Sequence, residues 1–197
     1  QAWEVTELDK KELRIYVKNM DGISANMWMD TGNEYVHTKV MKKMLEVIQS
    51  DEQYGFLDEA ARNRLSDIRT MCRSAASLSE TEHAVLPLSD TSFAVFPFLG
   101  TRGAMALQYA LREMGFDANV WLSRYIPVCI EVHSPKGAQA VSAALSELKR
   151  NGADKYSFSI PDNCEICGKY NDFIPRPLLK KQYVEDYLDT DDLVNIE

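Results

Sequence analysis

The sequence predicts an α+β fold, and three features carry that reading. Leu13, Ile15 and Val17 alternate with Arg14, Tyr16 and Lys18 after an Asp9-Lys10-Lys11 turn, the two-residue period of a half-buried strand, so the chain opens as a hairpin. Ala61, Leu65, Ile68, Cys72 and Ala75 recur at threes and fours, which gives one helix a core face. From Ser92 to Ile160 the segments run strand, helix, strand, strand, helix, strand. That βαββαβ order is the split pattern of a ferredoxin-like sandwich, with two helices on one sheet face.

Taken in order, strands are expected at Ala2–Leu8 and Glu12–Lys18, with a weaker segment near Ser24–Met29. Two helices follow, Thr38–Gln49 and Asp58–Ser77, the second opening on Asp58 and Glu59, where the helix dipole favours acids. The sandwich is expected from strands at His83–Leu88 and Ser92–Phe98, a helix at Thr101–Met114, strands at Asp117–Ser123 and Ile126–His133, a helix at Pro135–Lys149 and a last strand at Lys155–Ile160. A loop-rich tail with a short helix near Leu178–Tyr187 closes the chain. The organisation read this way is 1–82, strand hairpin and helical pair; 83–160, ferredoxin-like sandwich; 161–197, loop, short helix and acidic tail.

The chain has 197 residues, 45% of them apolar, enough for a buried core. It starts at Gln1 and runs at once into a strand-like segment, so it reads as a fragment of a longer protein. Charged residues interrupt every apolar run, so no membrane span is expected and the protein should be soluble and cytoplasmic. Four cysteines in a chain this long fit a reducing compartment; Cys72 and Cys129 read as small buried hydrophobes. The formal charge is −8, but six acids between Glu185 and Glu197 supply −6 of it, leaving residues 1–184 at −2. An acidic chain is not a strong free-standing nucleic-acid binder; a nearly neutral body still leaves room for a basic face.

The sequence carries few motifs of recognisable chemistry. No glycine-rich loop ends in Lys-Ser or Lys-Thr, so the phosphate-cradling motif of a nucleotide hydrolase is missing. Gly100-Thr101-Arg102-Gly103 is the nearest approach: a strand ends and a helix begins, which leaves backbone N–H groups for an anion, beside the charge of Arg102. The alternative is a tight turn and nothing more. Cys164 and Cys167 have the spacing of half a zinc knuckle without a second ligand pair, so no metal is assigned. His133 and Ser134 are strand neighbours on opposite faces and form no relay. Candidate nucleic-acid contacts are Arg62, Arg69 and Arg73, a stripe on one helix, together with Trp28, Tyr35 and His37 before another. Each has a plain alternative, a solvated helix face for the arginines and a packing anchor for Trp28.

Five co-linear segments resemble one family. Ala2-Trp3-Glu4-Val5-Thr6-Glu7-Leu8-Asp9 is similar to a "W-x-V-x-x-V-D" strand, and Trp28 to Val40 to a "P-x-W-x-G-E-G…V-H-P-R-V" passage. Tyr54-Gly55-Phe56-Leu57-Asp58-Glu59-Ala60-Ala61-Arg62 resembles "Y-x-x-L-D-E-x-A-R". Phe96-Pro97-Phe98-Leu99-Gly100, with Leu107, Ala110 and Leu111, resembles "F-P-F-A-G-R…G-L…A-x-x-L". Lys169-Tyr170-Asn171-Asp172-Phe173-Ile174-Pro175, with Leu178, Leu179 and Asp189, resembles the family's ending. The family is that of the Lhr-like (long helicase-related) superfamily 2 helicases of the DEAD/DEAH-box kind, in the region after the two RecA-like domains and the winged helix. The pattern departs at Thr101, where the family's arginine is displaced to Arg102, and at His37-Thr38-Lys39, where the family has His-Pro-Arg.

The resemblance implies a parent that couples ATP hydrolysis to movement along single-stranded DNA, in DNA repair or a related process. ATP and magnesium would sit in that parent's motor, and this region would hold no cofactor and no catalytic residue. It would dock on the RecA-like and winged-helix domains and help grip or separate the strand, with Lys39 beside His37 as the family's cation; Thr101 and Arg102 join the nucleic-acid candidates through the Gly100–Gly103 turn, since the displaced arginine departs from the family's pattern. A small-molecule-sensing module and a structural spacer are the alternatives, because fold does not fix function.

Overall fold

The computed structural model describes residues 2–9, 12, 14–20, 35–78, 81–123, 126–153, 156, 158, 160 and 171–197. They fall into two compact units, residues 1–33 and 34–197.

The first unit is the expected hairpin. Strands β1 (Ala2–Asp9) and β2 (Arg14–Met20) pair antiparallel, with Val5 opposite Val17, Leu8 opposite Ile15, and an irregularity between Val5 and Glu7. The alternation of Ile15 and Val17 with polar neighbours foretells one covered face. Instead Val5, Ile15, Tyr16 and Val17 are all exposed.

The second unit begins with α1 (Thr38–Gln49) and α2 (Glu59–Leu78). The apolar stripe of α2 is less covered than its periodicity foretells: Ala61, Leu65 and Ala75 are half-buried, while Ile68 and Cys72 are exposed. The physical reason is that the main neighbour of α2 among the described elements is α1, a helix of three turns, which covers only part of its face. Cys72 is therefore an exposed thiol; Cys129 is buried, as expected.

Strands β3 (Val85–Pro87), β4 (Ser92–Val95), β5 (Asp117–Ser123) and β6 (Ile126–His133) form one antiparallel sheet in the order β3-β4-β6-β5. Helix α3 (Thr101–Glu113) links β4 to β5, and β6 inserts between those two strands. Helix α4 (Ala138–Asn151) follows β6. Phe93, Val95, Ile130 and Val132 on one sheet face meet Leu107, Leu111, Val141, Leu145 and Leu148 of the helices, all buried in one core. The last expected strand differs. Lys155, Ser157 and Ser159 lie outside the described residues; of the others Phe158 and Ile160 are buried, but none of Tyr156, Phe158 and Ile160 is in a strand. Phe158 has a φ of 48°, a left-handed conformation that interrupts an extended run. The sheet position beside β4 is held by β3.

The C-terminal segment is more than a solvated charge run. Helix α5 (Arg176–Tyr187) opens with Pro at its second position, and a short 3-10 helix spans Asp191–Asn195. Leu179, Tyr183, Leu188, Leu193 and Ile196 all enter the core, and Tyr183 meets Tyr109 edge to face at 6.3 Å. Six acids among the thirteen residues 185–197 hide the buried Leu188, Leu193 and Ile196 from a reading by periodicity. Among the described residues no helix is long and apolar enough to cross a membrane.

Candidate functional site

Two helix starts meet at one point. His37 caps α1, its ring Nδ1 accepting the Lys39 N–H at 3.0 Å. The Thr38 hydroxyl, buried, accepts the Gly100 N–H at 2.7 Å and donates to the Asp192 carboxylate. Val36 and Thr101 exchange bonds: the Val36 N–H donates to Thr101 Oγ1 at 3.0 Å, and the Thr101 N–H donates to the Val36 carbonyl at 2.9 Å. The chain reaches this point through Phe98, whose φ of 49° puts a bulky residue in the left-handed region, a conformation that costs about 1–3 kcal/mol and persists only where its surroundings enforce it. Gly100 is required by space and not by its backbone angle. A Cβ there would lie 2.4 Å from the Val36 carbonyl oxygen and 2.5 Å from the Thr38 nitrogen.

Beside this junction lies a cleft of about 500 Å3, lined in part by Tyr35, His37, Arg102, Asp189 and Asp192. The Arg102 guanidinium rests 4.9 Å from the centre of the Tyr35 ring, within cation–π range, and the Arg102 carbonyl accepts the Asp189 N–H at 3.3 Å. Burial holds the Asp189 carboxyl above the ordinary carboxylate range; the charges of Asp192 and Asp191 push the same way, against the Asp192 N–H and His37. Glu197 ties the tail down further, through an ion pair with Lys42 and through its carbonyl, 3.1 Å from the His83 ring.

Two of the N–H groups that Gly100-Thr101-Arg102-Gly103 could offer an anion are already used, as the tight-turn alternative expects. The Gly100 and Thr101 N–H groups are engaged by Thr38 and Val36. The Asp192 carboxylate stands against the first turn of α3, where a Cβ added to Gly103 would be 3.0 Å from it. A phosphate entering the cleft would meet Arg102, and it would also meet Asp189 and Asp192.

The sequence-predicted contacts scatter. His37, Thr101 and Arg102 come together at the junction, with Lys39 exposed one residue into α1. Arg69 is elsewhere and structurally engaged: its guanidinium donates to the Val47 carbonyl at 2.9 and 3.1 Å, to the Glu52 carbonyl at 3.1 Å and to Ser50 Oγ at 3.2 Å, and lies 5.9 Å from the Tyr54 ring. Arg73 pairs with Asp51, and Arg62 turns back to the Asp58 carbonyl at 3.3 Å. Trp28, Cys164 and Cys167 lie outside the described residues. Among the described residues no group of three His, Cys, Asp or Glu could hold a metal. Nothing in the sequence marks Thr38 and Asp192 as site residues. Their partners are 62 and 154 residues away, and no local pattern announces such contacts.

Compared with known proteins, the chain matches no family model, no curated protein and no solved structure. The bearing on function therefore comes from the junction itself.

Proposed function

We propose that this chain is a non-catalytic accessory region of an ATP-dependent helicase of the Lhr-like, DEAD/DEAH-box kind. It docks on the parent's RecA-like and winged-helix domains, works in the cytoplasm, and positions those domains on single-stranded DNA. ATP and magnesium belong to the motor. The ferredoxin-like arrangement belongs to this proposal too: the split β4-α3-β5 unit supports it, while β3 takes the edge that such a sandwich gives to its last strand.

The observation that carries the reading is the junction. Two segments that resemble the family, at Val36–Lys39 and Phe96–Gly100, are far apart in the chain and are bonded through Thr38 and Gly100, and Arg102 and Asp192, which lie just beyond matched residues, tie the tail around Asp189 to the same point. Their use there is cohesion, which favours positioning over grip as this region's share. The acids beside Arg102 weigh the same way, since they oppose phosphate.

In solution the chain should hydrolyse no ATP, with or without DNA. By fluorescence anisotropy it should bind a 20-nucleotide oligo(dT) weakly and lose that binding as salt rises from 50 to 200 mM. Hydrolysis by the purified chain, or tight and salt-insensitive binding, would overturn the proposal. The cleft volume, within the range of small-ligand sites, favours a second reading as a sensing module. A zwitterionic metabolite that raised the melting temperature and was lost in Arg102→Ala would decide for it.

A further inference from the structure

The two helices cover one face of the four-stranded sheet; the other face is buried at Ala94 and Cys129, where Met41, Phe96 and Phe98 line a cavity with Cys129, and is open toward Asp117, Asn119 and Trp121 at the β5 edge. Strand register puts Trp121, Asn119 and Asp117 of β5 on that face, opposite Cys129, Glu131 and His133 of β6, with Ala94 of β4 opposite Glu131. Trp121 is 53% exposed and sits at an irregularity in the pairing, the kind of distortion that re-aims a side chain. Glu131 is half-buried on an interior strand of the sheet, between Asn119 and Ala94. No cation pairs with it among the described residues, although its charge is close enough to help burial push the Cys129 thiol up. Asp117 adds a second carboxylate. The described residues of the strands put no Lys or Arg on this face.

The neighbouring edge is closed to strand addition. The Val120 N–H donates to Gln108 Oε1 at 2.7 Å, and the Ala118 carbonyl accepts Arg112 Nε at 2.7 Å, so side chains of α3 satisfy outward-facing backbone groups of β5. The same Arg112 is held at that edge by Asn119 Oδ1, 2.6 Å away. A partner must therefore use the face, where two carboxylates repel a phosphate backbone and attract a cation.

We propose that this face docks a polypeptide segment presenting an arginine. The guanidinium stacks on Trp121 and pairs with Glu131, which are diagonal cross-strand neighbours on the order of 7 Å apart, a gap one planar guanidinium bridges. The proposal rests on the reading of the chain as a docking module, but it concerns a surface that can be probed alone.

The test is an NMR titration of the isotope-labelled chain with a hexa-arginine peptide and, separately, with a 12-nucleotide oligo(dT). The peptide should shift the Trp121 indole and the amides of Asn119 and Glu131 most. Glu131→Gln and Trp121→Ala should each weaken it at least fivefold, whereas Glu185→Gln, an acid on α5, should leave it within twofold. Equal weakening by Glu131→Gln and Glu185→Gln, with none from Trp121→Ala, would mark attraction to net charge only and overturn the proposal. So would shifts centred elsewhere, or oligo(dT) taking the same face more tightly. Hydrolysis of ATP by the chain would sink the helicase reading and leave this surface standing; a peptide that binds elsewhere sinks the surface alone.

Discussion

Thr38 joins three parts of the chain with one hydroxyl, since it accepts from Gly100 and donates to Asp192. Thr38→Val keeps the shape and removes both bonds, leaving the buried Gly100 N–H without an acceptor, so a loss of about 1–3 kcal/mol is expected in urea unfolding. Thr38→Ser should recover most of it. Asp189 behaves oppositely to a paired acid. Its folded value is raised above the ordinary one, so the folded state binds its proton more readily. Its contribution turns unfavourable as pH rises through the folded value and is relieved as pH falls through it. Asp189→Asn should therefore raise the melting temperature slightly at pH 7, and the gain should shrink toward pH 4 as the wild-type carboxyl protonates. Asp51, held below its ordinary value by Arg73, has the reverse sign: its contribution is lost as pH falls. Of these residues the sequence singles out His37, Thr101 and Arg102 through their setting in a turn or a family-like segment. It is silent on Thr38 and Asp192, because a bond 154 residues long has no local signature.

At the scale of elements, local pattern was a good guide wherever local forces decide. The bounds of α1, β5 and β6 are those that hydrophobic periodicity and turn residues foretell, because each element holds a whole period of its own. The helix expected from Pro135 starts at Ala138 because Gly137, with a φ of 82°, turns the chain first. Of the strand expected at the end of the sandwich, the described Phe158 has a φ of 48°, a left-handed conformation that strand propensity does not foresee. The arginine stripe of α2 shows the same limit. Periodicity places Arg62, Arg69 and Arg73 on one face, yet it cannot say that Arg69 closes the end of α1 through the Val47 carbonyl. Arg69→Ala should cost about 2 kcal/mol in the docking of α2, the scale of hydrogen bonds from a charged donor. Arg69→Lys should rescue little of it, because an ammonium does not reproduce the guanidinium fork. Hydrogen exchange is the measurement: α2 amides should lose protection while those of α3 and α4 keep theirs. Uniform loss would mean that α2 is part of one cooperative core.

For the whole molecule, net charge misleads until the tail is divided into what is charged and what is buried. Six acids from Glu185 onward make the segment look solvated, but Leu193 and Ile196 between and beside them are fully buried against the rest of the core. Removing residues 189–197 should therefore act as a core deletion. Two fully buried aliphatic side chains contribute about 1.5–3 kcal/mol each, and a loss of that size lowers the melting temperature of a chain this long by about 10 °C or more. The contrasting variant replaces Glu185, Asp186 and Asp191 by their amides, which takes the formal charge from −8 to −5 and leaves every buried contact in place. Its melting temperature should stay within about 2 °C of the parent chain. Calorimetry on the two variants separates the cases. A truncated chain that melts like the parent would mean that the tail is a dispensable charge run. A charge variant that melts as low as the truncation would mean that electrostatics, and not burial, fasten the tail. The expected result, a large loss for the first and almost none for the second, would make the C-terminal segment a structural layer of the unit, and the junction at Thr38 the place where that layer is locked to the two helix starts.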